Sequence, residues 1–97
     1  ELTISFWSYG NKDIQPINNS IVYGTDSNNN RQINIHHPWG NSNIYFDCGN
    51  DGTGYDRINK AATAAEIKGS WNHWTFTKNA TSGDMTIYLN GELWHSG

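Results

Sequence analysis

One cysteine, two prolines and no apolar run approaching the 18 or more residues that cross a bilayer are what this chain of 97 residues shows at first sight. With Cys48 as its one thiol, it can build neither an intrachain disulfide nor a zinc cluster of thiolates. Charge is scarce as well. Only 15% of residues are charged, the net charge is -3, and the six basic residues, Lys12, Arg31, Arg57, Lys60, Lys68 and Lys78, are scattered without forming a stripe. Nucleic-acid binding draws most of its affinity from neutralised phosphates, so no nucleic-acid partner is expected, and neither is membrane insertion. No signal peptide precedes Glu1, but the chain begins inside a strand pattern, so little follows from that.

What is present is aromatic and amide-rich: five Trp, five Tyr and fourteen Asn. Polar loops between aromatic strands give such a profile, which fits an extracellular or cell-surface β domain. The N-x-S/T sequons at Asn18 and Asn79 carry little weight among so many asparagines. A chain of this length forms one small domain at most and buries about 60 to 65% of its unfolded surface.

Period-two alternation predicts strands at Leu2–Tyr9, Ser20–Tyr23, Gln32–His36, Asn43–Cys48, Trp71–Lys78 and Met85–Leu89. In the first, Leu2, Ile4 and Phe6 share one face, with Thr3, Ser5, Trp7 and Tyr9 on the other. Ile44, Phe46 and Cys48 likewise share a face, and Cys48 reads as a buried core thiol. Pro38 and Gly40 punctuate a hairpin between the third and fourth strands, and Asn90-Gly91 supplies the two positive-φ positions of a tight turn. Asn59–Lys68 has helical propensity but is short, and reads as one or two helical turns or an extended connection ended by Gly69. Trp7, Trp71 and Trp74, inside strands, are expected in the core. Trp94 is ambiguous.

The segments LTISFW (Leu2–Trp7), SIVYG (Ser20–Gly24), NIYFDCG (Asn43–Gly49), WNHWTFT (Trp71–Thr77) and MTIYLNGELWHSG (Met85–Gly97) resemble, in order and spacing, the laminin-G-like members of the concanavalin A-like lectin and glucanase superfamily. The resemblance covers nearly the whole chain and implies an all-β fold, an antiparallel jelly-roll β-sandwich, as a single domain over residues 1–97. Complete domains of this kind are longer at both ends, which leads us to expect a partial domain: either a fragment of a larger polypeptide or one completed by neighbouring subunits.

The chemistry legible in the residues is that of binding. Glycosidases on such folds need two facing carboxylates about 5 to 9.5 Å apart, but Glu1, Glu66 and Glu92 lie at a chain end, in the Ala-rich connection and beside a turn, and no strand presents two acids on one face. No enzyme is expected. Sugar recognition needs an aromatic platform beside hydrogen-bonding groups; Trp39, Tyr45 and Tyr55, with Asn50 and Arg57, supply the candidate residues, the alternative for Trp39 being to close one end of the core. Adjacent His36 and His37 point to opposite strand faces and do not make a metal pair.

For metal, Asp47 and Asp51, and separately Asp26 in the DSNNN run, are candidate calcium ligands, because hard cations take Asp and Asn oxygens on loops and the resembling domains often hold calcium in this way. Neither cluster fits an EF-hand. The competing reading is that Asp26 and its asparagines form Asx turns and that Asp47 pairs with Arg57 or caps loop amides. The expected function is therefore a non-catalytic carbohydrate-binding or adhesion module of a larger secreted or cell-surface protein, with a glycan or an extracellular protein as partner. The alternative is a structural subunit of a filament, stalk or adhesin.

Overall fold

The computed structural model describes residues 1–13, 18–49 and 54–97. Its elements are β1 (Leu2–Tyr9), β2 (Val22–Thr25), β3 (Arg31–His36), β4 (Asn43–Cys48), β5 (Asp56–Ala61), α1 (Ala64–Ile67), β6 (Trp71–Lys78), β7 (Met85–Leu89) and β8 (Glu92–Ser96). They fall into two units, Glu1–Gln15 with Thr63–Gly97, and Pro16–Ala62. Each unit carries one four-stranded antiparallel sheet, in the orders β1-β6-β7-β8 and β2-β3-β4-β5.

In the first sheet the register sets Ile4 against Phe76 and Phe6 against Trp74. Alternation then buries Trp74, Phe76, Met85 and Ile87 on one face. The same alternation carries Trp7 and Trp71 to the other face, where they are 66% and 64% exposed. The expectation that both belong to the core is corrected: a sheet with one buried face cannot turn Phe6 and Trp7, or Trp71 and Asn72, inward together. On the outer face the rings pair across strands instead, Trp7 with His73 at 4.9 Å and Tyr9 with Trp71 at 5.4 Å.

The turn between β7 and β8 forms as expected, with Asn90 at φ 52° and Gly91 at φ 84°. Asn90 is more than a turn former. Its Oδ1 accepts the His73 N–H at 2.8 Å, and its Nδ2 donates to Oδ1 of buried Asn72 at 3.0 Å. Asn72 Nδ2 in turn donates to the carbonyls of Ala65 and Glu66, so one asparagine joins β6, the turn and α1.

The Asn59–Lys68 stretch divides into two elements. Its first residues belong to β5, a strand the sequence reading missed, and only Ala64–Ile67 are helical. Glu66 Oε1 accepts the Thr63 N–H at 2.8 Å, starting the helical turn, while Glu66 Oε2 accepts the indole N–H of Trp94 at 2.8 Å. In β5 only Ile58 is buried, so no run of alternating apolar residues announced the strand.

In the second sheet two rows run across the strands. Val22, Ile35, Phe46 and Ile58 are register partners, as are Tyr23, Asn34, Asp47 and Arg57 in the next row, which faces the other way. Ile35, Ile44, Phe46 and Ile58 are buried, and Cys48 joins them, 8% exposed, as expected of a core thiol. β2 runs through Gly24, which the sequence reading treated as its end. A Cβ there would stand 2.8 Å from Ile33 Cγ2, so glycine allows a close approach, next to a shift in register.

Candidate functional site

The polar row of the second sheet is built around a carboxylate. Asp47, on β4, is 1% exposed as a side chain, and its register partners Asn34 and Arg57 stand on either side. Arg57 Nε donates to Oδ1 at 2.5 Å and its Nη2 to Oδ2 at 2.8 Å. Asn34 Nδ2 reaches Oδ2 at 3.4 Å, and an Arg31 nitrogen lies 3.6 Å from the same oxygen. Hydrogen bonding to Asp47 raises the Arg57 pKa above its ordinary value, against the opposing effect of partial burial.

The arginines are also held by rings. Arg57 lies over Tyr45 at 4.7 Å and over Tyr55 at 5.3 Å, and Arg31 over Tyr55 at 4.8 Å. Tyr55 sits just before β5, so the strand missed in the sequence is what brings Tyr55 and Arg57 to this face.

One row further along, His36 and Tyr45 are register partners. His36 Nδ1 lies 2.7 Å from the Asn19 carbonyl, which only a donor can satisfy, while Nε2 accepts from Asn34 Nδ2 at 2.9 Å. These bonds place the ring proton on Nδ1. Just beyond β3, a tight loop closed by Trp39 N–H to the Asn43 carbonyl (2.9 Å) and Ser42 N–H to the Trp39 carbonyl (3.0 Å) swings the indole back over His36, with centroids 4.4 Å apart. Asn41 Nδ2 donates to the Tyr45 hydroxyl at 2.7 Å. Together His36, Trp39, Tyr45 and Arg57 line a pocket of about 210 Å³.

His37, the residue that follows β3, is buried at 4% exposure. Burial pushes its imidazole down to about 4. The Asn19 side chain brackets its backbone, accepting the His37 N–H at 3.1 Å and donating to its carbonyl at 3.2 Å.

Of the residues singled out in the sequence, Trp39, Tyr45 and Arg57 meet at the pocket, and Tyr55 supports the arginines behind it. Asn50 and Asp51 lie outside the described residues. Asp26 forms an Asx turn: its Oδ1 accepts the N–H groups of Asn28 and Asn30 at 2.9 and 3.0 Å, and Oδ2 accepts from Gln32 Nε2 at 3.2 Å. Asp47 faces two guanidinium groups, surroundings that repel a cation, so the calcium expectation at this residue gives way to the arginine pairing weighed against it. Among the described residues no three His, Cys, Asp or Glu side chains come together as a metal site. Sequence reasoning missed His36, Asn34 and Arg31. The signal of Asn34 and His36, polar residues alternating with Ile33 and Ile35, lies within β3 and gains meaning only once β4 is registered beside it, whereas Arg31 has the parity of the isoleucines and stands at the register shift between β2 and β3.

The chain is all-β, in two four-stranded antiparallel sheets, and its fold is that of a jelly-roll β-sandwich. The chain belongs to the laminin G-like family described as the Concanavalin A-like lectin/glucanases superfamily, whose family model matches residues 1–97. Domains of this family commonly serve as carbohydrate-binding or adhesion modules. Among solved structures it is similar to a crystal structure of a tryptophan-to-alanine mutant of HCR/D, with a TM-score of 0.68 and 23% identity over 98% of this chain. That likeness is one of fold, and this chain spans 24% of the length of that one. No curated protein matches it.

Proposed function

We propose that this domain is a non-catalytic glycan-binding module of a larger secreted or cell-surface protein, and that it binds through the pocket of His36, Trp39, Tyr45 and Arg57. The observation that carries this reading is the pairing, within about 210 Å³, of an indole at the rim with a guanidinium fixed by a buried carboxylate. A pyranose offers C–H faces to the ring and oxygens to the N–H groups. Trp39, 38% exposed, keeps ring surface available for such stacking. The acidic side chains described above are occupied in ways that suit structure: Asp47 with arginine, and Glu66 with the Thr63 N–H and the Trp94 indole.

A glycan array followed by isothermal titration, on protein with and without Trp39→Ala, tests the reading. Binding to at least one sugar and its loss in the variant are expected; no binding to any sugar overturns it. Repeating the titration with calcium and with chelator tests the remaining metal candidates, Asp26 and Asp51.

The exposed aromatic pairs on the first sheet favour a second reading, a structural module that associates with other copies, since contiguous exposed rings mark interaction surfaces. Sedimentation velocity separates the two. A monomer at micromolar concentration favours glycan recognition, and assemblies that Trp7→Ala and Trp71→Ala dissolve favour the other.

A further inference from the structure

The turn that joins β6, β7 and α1 is also the chemically weakest point of the backbone. Of the fourteen asparagines, only Asn90 is followed by glycine. That neighbour matters because deamidation of asparagine begins with attack by the next residue's amide nitrogen, and glycine has no Cβ to shield it. The position is open as well. Asn90 and Gly91 are exposed between the register partners Leu89 and Glu92, and a Cβ built on Gly91 would meet nothing within 4 Å.

Folding nevertheless holds the side chain back. The Oδ1 of Asn90 accepts the His73 N–H at 2.8 Å, and its Nδ2 donates to Asn72 Oδ1 at 3.0 Å, so both ends of the carboxamide are fixed to β6. The Asn90 N–H donates to the His73 carbonyl at 2.7 Å and ties the turn's backbone to the same strand. While these bonds last, Cγ is kept from turning onto the Gly91 nitrogen.

We propose that Asn90 is a modification site, a spontaneous deamidation site that the fold guards and whose conversion unlatches α1. Water is the one co-reactant. The Gly91 nitrogen bonds to Asn90 Cγ, and Nδ2 leaves as ammonia with the proton that nitrogen gave up, which closes a five-membered succinimide. Water then adds to one of the two ring carbonyls and the C–N bond there breaks, leaving aspartate if the side-chain carbonyl is attacked and isoaspartate if the backbone one is.

The product no longer fits the latch. An aspartate oxygen can still accept from His73, but the other stands where Nδ2 donated and meets Asn72 Oδ1, acceptor against acceptor. Asn72 cannot answer by turning its amide over, because its own Nδ2 donates to the carbonyls of Ala65 and Glu66. Losing one donor therefore opens the joint between β6, the turn and α1. Glu66 of α1 also holds the Trp94 indole N–H at 2.8 Å, so the loosening extends to β8.

Peptide mapping by mass spectrometry, on the intact domain aged in mildly alkaline buffer, is the test. Asn90 should convert before any other asparagine, and at least about tenfold more slowly in the folded chain than in the same chain unfolded in guanidinium. Asn72→Ala removes the partner of Nδ2 and should bring the folded rate toward the unfolded one. The converted fraction gains one carboxylate, which takes the net charge from -3 to -4 and makes it separable by ion exchange. Its urea midpoint should be lower, and Asn90→Asp should reproduce that loss. Earlier conversion of another asparagine, or equal folded and unfolded rates, overturns the guarded site, and an unchanged midpoint in Asn90→Asp overturns the unlatching. If Asn72→Ala does not fold, guanidinium below the unfolding transition decides: it should speed conversion of Asn90 in the unaltered domain, and a rate that stays constant overturns the proposal.

Discussion

Arg57 grips Asp47 at both carboxylate oxygens, at 2.5 and 2.8 Å, and does so between strands whose register makes the two residues direct neighbours. A carboxylate 1% exposed is stable only while its partners remain, and removing one member of a buried pair leaves the other charge stranded. Asp47→Ala leaves two guanidinium groups facing each other and should cost about 3 to 5 kcal/mol. Urea denaturation measures this, and a loss below about 1 kcal/mol would show that the pair serves the ligand rather than the fold.

Acid should weaken the domain through His37. The imidazole titrates at 6.5 when free and about 4 in the fold, so the unfolded chain takes up a proton at a pH where the folded one does not. Stability from this residue is therefore complete above pH 6.5, declines as pH falls toward 4 and levels off below. A gap of this size corresponds to about 3 kcal/mol. Comparing urea midpoints at pH 7 and pH 4.5 for the natural domain and His37→Gln isolates the effect, because the variant should lack that part of the decline.

The tryptophans should separate sharply in their contribution to stability. Trp74 is fully buried, with Phe76 and Trp94 against its ring, and its replacement by alanine should cost about 3 to 5 kcal/mol. Trp7→Ala and Trp71→Ala remove only cross-strand pairs on an exposed face, and should each cost about 1 kcal/mol. Iodide should quench the fluorescence of Trp7 and Trp71 in the folded protein and leave Trp74 dark to it. Equal stability losses at all three positions would contradict the assigned faces.

Asn90→Ala should destabilise more than a turn substitution usually does. Alanine tolerates the left-handed conformation poorly, at about 1 to 2 kcal/mol, and the change also strands the Asn72 carbonyl and the His73 N–H. A total near 3 kcal/mol is expected by thermal denaturation. Asn90→Gly, which restores only the backbone freedom, should recover part of it.

What could be read from the sequence followed the strength of its periodicity. β1, β4, β6 and β7 carry alternating apolar residues over five to eight positions, and their bounds agree with the expected ones residue for residue. β5 presents a single buried apolar side chain, so its pattern holds no period, and the Ala-rich residues after it imitate a helix. The tryptophans show the limit of treating aromatic content as burial: alternation had already put Trp7 opposite Phe6, and size outweighed position. At the pocket, Trp39, Tyr45 and Arg57 were legible because aromatics and a cation in loops and strand faces are rare combinations in so uncharged a chain. His36, Asn34 and Arg31 were not, since what gives each its role is a neighbour on another strand, and register is a property of the sheet rather than of any one segment.

β4 carries the buried residues Ile44, Phe46 and Cys48 on one face and Tyr45 and Asp47, which build the pocket, on the other. Opening this strand would empty the site and uncover the chain's one thiol in the same event. Cys48 is thus a built-in clock for site opening: its rate of reaction with a thiol reagent should fall in proportion as the pocket is filled, so that ligand occupancy becomes readable without touching a pocket residue.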